Sequence, residues 1–148
     1  MTPDSIEREI TIGAPRERVW SLLTSAEHLG SWFGDAGAEI DLRPGGRLEL
    51  RWEKYGTVRG EVDVVEPPER FAFRWPADHE AGFVEGNLTR VEFTLAAAAE
   101  GTVLTVVESG FAALRYGDPI VRHADHVQGW GKELGELREL AEGVAARP

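Results

Sequence analysis

From Ala36 to Glu108 apolar residues recur at every second position through six runs, and nothing between those runs has helical spacing. That pattern excludes most folds. Parallel strands need a crossover between them, usually a helix, and none of these gaps carries helical spacing. The runs must pair as one antiparallel sheet with one covered face. Ala38, Ile40 and Leu42 lead into the turn Pro44-Gly45-Gly46, after which Leu48, Leu50 and Trp52 alternate with Arg47, Glu49 and Arg51, the pattern of a hairpin. Val58, Val62 and Val64 alternate with Arg59, Glu61 and Asp63, and Gly60 in their midst predicts a bulge or sharp bend that curves the sheet. Pro67-Pro68 ends that run. Phe71, Phe73 and Trp75 follow, then a loop from Pro76 to Asn87, then Val91, Phe93 and Leu95 opposite Arg90, Glu92 and Thr94. The last run, Thr102 to Glu108, is apolar on both faces, Val103 and Val107 against Leu104 and Val106. Its register stays open, and with it the direction of Glu108.

A seventh strand precedes these. Ser5 to Ile12 sets Ile6, Arg8, Ile10 and Ile12 against Glu7, Glu9 and Thr11. Pro15 then opens a short helix with Val19, Leu22 and Leu23 on one face and Trp20 beside them. Thr24 and Glu27 stand as a capping box for a second short helix ending around Trp32 and Phe33.

A sheet with one apolar face needs a cover, and the far end of the chain supplies it. In Asp118 to Val144 the apolar residues Val127, Trp130, Leu134, Leu137, Leu140, Ala141 and Val144 recur at spacings of three and four. Asp118 is placed to cap the helix and Pro119 to occupy its first position. Counted to about Glu142, it has about 24 residues and is about 36 Å long, the span of a small domain. Gly129, Gly131 and Gly135 each weaken it, so packing of the Trp130 face must hold it. The architecture expected is α+β, a curved antiparallel sheet of about seven strands gripping one long C-terminal helix, with two short helices after strand one. A length of 148 residues predicts a single domain, 1–148.

The charge balance narrows the partners. With 26 acidic and 16 basic side chains, a formal charge of −10, and no basic cluster on any expected element, nucleic acid is a poor ligand. The absence of cysteine removes disulfides, thiolate nucleophiles and thiolate metal sites, which suits a reducing, cytoplasmic setting. No basic apolar leader and no apolar run long enough for a membrane span occur, so no membrane insertion is expected.

The order strand, two short helices, six strands, long helix resembles the helix-grip fold of the START and birch-pollen-allergen superfamily, often called SRPBCC. Five segments point further, to the branch similar to the C-terminal domain of the activator of heat-shock protein 90 ATPase. They are Ala14-Pro15 with Val19-Trp20, LGSWF at Leu29 to Phe33, VEPPERFAFRW at Val65 to Trp75, ESGF at Glu108 to Phe111, and Gly129-Trp130. The resemblance covers nearly the whole chain. It implies a fold and leaves the activity open, because the superfamily includes binders of lipids and hormones, polyketide cyclases and chaperone regulators.

A bent sheet and a straight helix leave a gap that large side chains fill only in part, and apolar pockets are the default ligand sites. The expected lining is Trp32, Phe33, Leu50, Trp52, Phe73, Trp75, Phe93, Phe111, His126, Trp130 and Leu134. The competing reading of each is plain core. His123 and His126 flank the helix start, but neither an H-E-x-x-H nor an E-x-x-H pair is present, so no metal and no cofactor is expected. His126 or Glu108 are the candidate acid or base, and a buried Glu108 would need a partner, with Arg51, Arg74 and Arg115 available. Glu53, Tyr55 and Asp35 read as surface or loop residues. No nucleophile elbow, phosphate loop or dinucleotide fingerprint occurs. Loops Phe33 to Gly37, Pro76 to Asn87 and Ser109 to Gly117 carry Phe33, Phe83, Phe111, Leu114 and Tyr116, which suit an apolar gate or a dimer or partner surface. Three functions follow: non-catalytic binding of a small hydrophobic or aromatic ligand, a cyclase or dehydratase using the same cavity, and a chaperone-related interaction module.

Overall fold

The computed structural model describes residues 4–54, 56–78 and 80–146. Tyr55 and the side chain of Val144 lie outside the described residues. The elements run β1 (Ser5–Ile12), α1 (Arg16–Thr24), α2 (Ala26–Trp32), β2 (Ala38–Ile40), β3 (Arg47–Trp52), β4 (Gly56–Glu66), β5 (Arg70–Pro76), β6 (Leu88–Ala98), β7 (Gly101–Ser109), a 3₁₀ turn (Phe111–Ala113) and α3 (Pro119–Ala146). The strands form one sheet in the order β1-β7-β6-β5-β4-β3-β2. Every neighbouring pair is antiparallel, so β2 to β7 make a meander and β1 closes onto its last strand. This is the helix-grip arrangement expected from the element order.

The register of β7 is decided by its neighbours. Glu108 stands opposite Ile6 of β1 and Val91 of β6, and Leu104 opposite Ile10 and Leu95. Because side chains alternate, this alignment turns Thr102, Leu104, Val106 and Glu108 inward together. Val103 and Val107 are left half-buried on the outer face. Arg8, grouped by alternation with the inward isoleucines, is exposed, while Ile6 and Ile12 are buried.

Curvature arises slightly away from where the glycine pattern placed it. The pairing of β4 with β5 shifts between Val62 and Val64, so the bulge falls at Asp63. Gly60 serves a different need: a Cβ there would lie 2.7 Å from the Arg74 carbonyl oxygen, so only glycine allows that backbone approach.

The capping box between Thr24 and Glu27 does not form. Thr24 still belongs to α1, and its hydroxyl donates to the Trp20 carbonyl (2.8 Å) instead. Ser25 occupies the N-cap position of α2 without a side-chain cap bond. At α3 the expected cap is present, with the Ile120 amide donating to Asp118 Oδ1 (2.9 Å). The helix is 28 residues long, one turn more than the periodicity gave. Trp130, Leu134, Leu137 and Ala141 are buried along one stripe, with Val127 and Leu140 packed at its margin. No helix among the described residues is long and apolar enough to cross a membrane.

Candidate functional site

Glu108 is the last inward-facing residue of β7 and is fully buried. A carboxylate in that position requires donors, and four side chains from three other elements provide them. Trp75 of β5 donates its indole N–H to Oε2 (2.8 Å), and Thr89 of β6 donates its hydroxyl to the same oxygen (2.5 Å). From α3, Trp130 donates its indole N–H to Oε1 (2.8 Å), and His126 Nδ1 lies 2.9 and 2.8 Å from the two oxygens. His126 Nε2 faces the Ala77 carbonyl oxygen at 3.0 Å. The Ala77 carbonyl can only accept, so Nε2 carries a proton, and an ionised Glu108 accepts from a second proton on Nδ1, which makes the ring an imidazolium.

The electrostatics agree with that assignment. Burial by itself would push the Glu108 carboxyl up, but the hydrogen bond and charge of His126, with Thr89 and Trp75, outweigh it and hold the group below its usual range. Burial would likewise favour neutral His126, yet the Glu108 hydrogen bond and charge, the Ala77 carbonyl and Asp125 hold it above its ordinary value. The arginines considered as partners lie elsewhere. Arg51 pairs with Glu39 and Glu49, Arg74 with Glu61 and Arg115 with Glu85. His126 and Glu108 satisfy each other.

Beside this network a cleft of about 460 Å³ opens to solvent between α3 and strands β3 to β5. Its aromatic wall is Phe33, Trp52, Trp75 and Trp130. Phe33 is central: its ring lies 5.7 Å from Trp52, 5.2 Å from Trp75 and 5.5 Å from Trp130. With His126, these four are the expected lining residues that the fold brings to the cleft. The cleft is open to solvent, and the inner sheet face beneath α3 is packed with rings.

Trp32, Leu50, Phe73, Phe93, Phe111 and Leu134 belong to that packed core and do not line the cleft. Trp32 is drawn away because its indole N–H donates to the Leu22 carbonyl (2.7 Å), fastening α2 to α1. Phe93 meets Trp130 edge-on at 5.8 Å and Phe73 at 6.3 Å, filling the space beneath α3. Phe111 packs against the rings of His123 and His126 at 5.1 and 5.3 Å. The expected gate is also partly core, since Phe33, Phe111 and Leu114 are buried and only Tyr116 is an exposed aromatic of that set. Asn87, fully buried, pins the Pro76 to Asn87 loop by donating to the Asp78 and Gly82 carbonyls (2.8 Å each). His123 is occupied by the Ser5 carbonyl oxygen at 2.9 Å.

Two cleft residues carry signals that periodicity alone did not give. Arg122 has its Nε buried without a hydrogen-bond partner among the described residues, and its guanidinium reaches Asp125 at 3.3 Å. Glu133 likewise has Oε2 shut away without a partner. Burial, then the charge and hydrogen bond of Glu136 and the charge of Asp35, overcome the opposing charge of Lys132 and push the Glu133 carboxyl up to about 8. Thr89 was missed for another reason: a threonine on an alternating strand looks like any other inward small residue.

Fold and site together define a helix-grip protein with a solvent-open aromatic cleft. The family described as Activator of Hsp90 ATPase homolog 1-like protein matches residues 13–142, and the chain belongs to that family. A search of curated proteins finds no match. Among solved structures, a Mesorhizobium loti protein is similar over 93% of this chain and 96% of its own, with 23% identity and a TM-score of 0.77. DynU16, described as a putative protein in the dynemicin biosynthetic locus, shares 28% identity over 95% of this chain and 48% of its own, at a TM-score of 0.74. The Aha1 dimer from Colwellia psychrerythraea is similar at 20% identity and a TM-score of 0.75, covering 93% of this chain and 96% of that one.

Proposed function

We propose that this chain binds a small, mostly apolar or aromatic molecule in the cleft between α3 and the sheet, without transforming it. The observation that carries this reading is the wall of Phe33, Trp52, Trp75 and Trp130 around about 460 Å³ of open space, a volume within the usual range of ligand sites. Its strongest polar groups support binding over turnover, because Glu108 and His126 are consumed in an internal ion pair. The resemblance to a protein described by a biosynthetic locus fits a small-molecule partner.

The test uses Gly129, which lines the cleft and has nothing within 4 Å of where a Cβ would stand. Gly129→Phe puts a ring into the open space and removes a helix-weakening glycine. Tryptophan emission titrated with methyl naphthyl ketone is expected to be quenched in the native protein and unaffected in the variant. Equal quenching in both, or none in either, counts against the cleft as a binding site. Native mass spectrometry of protein purified from its own host would then give the mass of any retained molecule.

A further inference from the structure

Most polar groups around the cleft are already engaged within the protein. Trp75 and Trp130 donate to Glu108, His126 lies between Glu108 and the Ala77 carbonyl, and Glu133 is hydrogen-bonded to Glu136 with Oε2 shut away. Arg122 is different. It lines the cleft one turn of α3 before His126, whose ring lies 5.7 Å from Trp75, so it stands at the end of the cleft beside His126 and Ala77. Of its nitrogens only Nε is shut away, beside Gly117, where a Cβ would stand 3.9 Å from it. The outer part of the fork, Nη1 and Nη2, stays accessible, and its contact among the described residues is an ion pair with Asp125 Oδ2 at 3.3 Å. Asp125 also lines the cleft and has more than half of its side chain exposed, which puts that pair at the solvent edge of the cleft. A solvated pair of this length holds a guanidinium weakly and leaves its other N–H groups to water.

A molecule lying along the aromatic wall covers this end of the cleft and takes water from those N–H groups, which then need an acceptor. A neutral carbonyl offers one acceptor atom, whereas a carboxylate offers two in the geometry of the guanidinium fork, with the opposite charge. An ammonium finds the acids engaged, Asp125 by Arg122 and Glu133 by Glu136, and meets the like charges of Arg122 and Lys132. We infer that Nη1 and Nη2 of Arg122 bind the carboxylate of an aromatic acid whose rings lie against Phe33, Trp52, Trp75 and Trp130. The inference rests on the cleft being the binding site and names the class of molecule it takes. Arg122 is a selecting residue, and no bond is made or broken. Asp125 is the internal competitor, which holds the fork at the cleft edge until the ligand carboxylate takes its place.

Calorimetric titration at neutral pH with three probes of similar shape tests this: naphthoate, methyl naphthyl ketone and naphthylmethylamine. In the native protein naphthoate is expected to bind about tenfold more tightly than the ketone, the advantage of a charge-assisted pair over a neutral hydrogen bond. Arg122→Gln should remove that advantage, and Arg122→Glu should pass the preference to the amine. Asp125→Asn frees the fork from its competitor and should widen the naphthoate preference about threefold. Thermal melts confirm that the variants are folded, and Arg122→Gln decides if Arg122→Glu does not fold. A native protein that binds the ketone or the amine as tightly as naphthoate would overturn the inference and leave the cleft reading standing. So would a naphthoate-to-ketone ratio unchanged in Arg122→Gln, which would assign the preference to Lys132, or one that Asp125→Asn fails to widen. If no probe binds, or Gly129→Phe binds them all as the native protein does, the cleft reading falls and this inference falls with it.

Discussion

His126 and Glu108 meet with Nδ1 2.9 Å from Oε1 and 2.8 Å from Oε2, and the remaining carboxylate acceptor sites are filled by Trp75, Thr89 and Trp130. One fully buried carboxylate thereby ties α3 to three adjacent strands, β5, β6 and β7. Packing alone would let a helix slide over an apolar sheet, whereas this network admits one position. The cleft owes its shape to that, because Trp75 and Trp130, which line it, are held by their N–H groups.

Removing the carboxylate should therefore cost more than removing the pair. Glu108→Leu leaves a buried imidazolium and two indole N–H groups without an acceptor, and is expected to destabilise the fold by about 3–5 kcal/mol. The double variant Glu108→Leu, His126→Leu removes the stranded charge and should recover about 1–2 kcal/mol of that loss. Urea unfolding of the native protein and of the variants carrying either or both substitutions closes the cycle.

The same pair predicts how stability varies with pH. The folded value for His126 lies above its ordinary 6.5, so its contribution is complete below that and is lost as pH rises through the raised value. Glu108 is held below its ordinary 4.5, so its contribution is present above that and is lost as pH falls through the lowered value. Stability should thus fall on both sides of a central plateau. His126→Gln should remove the imidazolium part of the alkaline decline, which melting temperatures measured across pH would reveal.

Glu133 acts with the opposite sign. Its folded value is raised from 4.5 to about 8, so the fold prefers the protonated acid and loses stability as pH climbs between those values. Glu133→Gln abolishes that penalty. The side chain is only partly buried, so after allowance for solvent screening the gain should be about 1 kcal/mol at pH above 8 and near zero at acidic pH. A stabilisation of equal size at both extremes would contradict the assignment.

Gly131 and Gly135 stand on the exposed side of α3, and a Cβ at either position would meet nothing within 4 Å, so no tertiary contact requires them. Gly131→Ala and Gly135→Ala should each stabilise the protein by about 0.5–1 kcal/mol through helix propensity. Together they should raise the melting temperature by several degrees without altering probe affinity in the cleft. A loss of stability would mean that α3 needs its glycines for a bend.

The architecture was legible because it rests on short-range periodicities. Alternation located all seven strands, the three-and-four spacing of Trp130, Leu134, Leu137 and Ala141 located the covering face of α3, and Asp118-Pro119 marked its start. The covering helix and the antiparallel order follow once a run of strands has no crossovers. Five of the expected lining residues, Phe33, Trp52, Trp75, His126 and Trp130, reach the cleft, but alternation could not separate them from Phe73 or Phe93, which point the same way and are buried by α2 and α3. Depth beneath neighbouring elements is a property of packing, and it has no period in the chain. The His126–Glu108 pair is of the same kind. Both residues stood out singly, yet β7 is apolar on both faces, and only its pairing with β1 and β6 turns Glu108 toward α3. Glu133 gave no local sign at all, since its unusual proton affinity comes from burial and from Glu136 and Asp35 around it. Local pattern thus specified the strands and the helix, while distances between residues far apart in the chain decided which side chains are core, which are paired and which line the cleft.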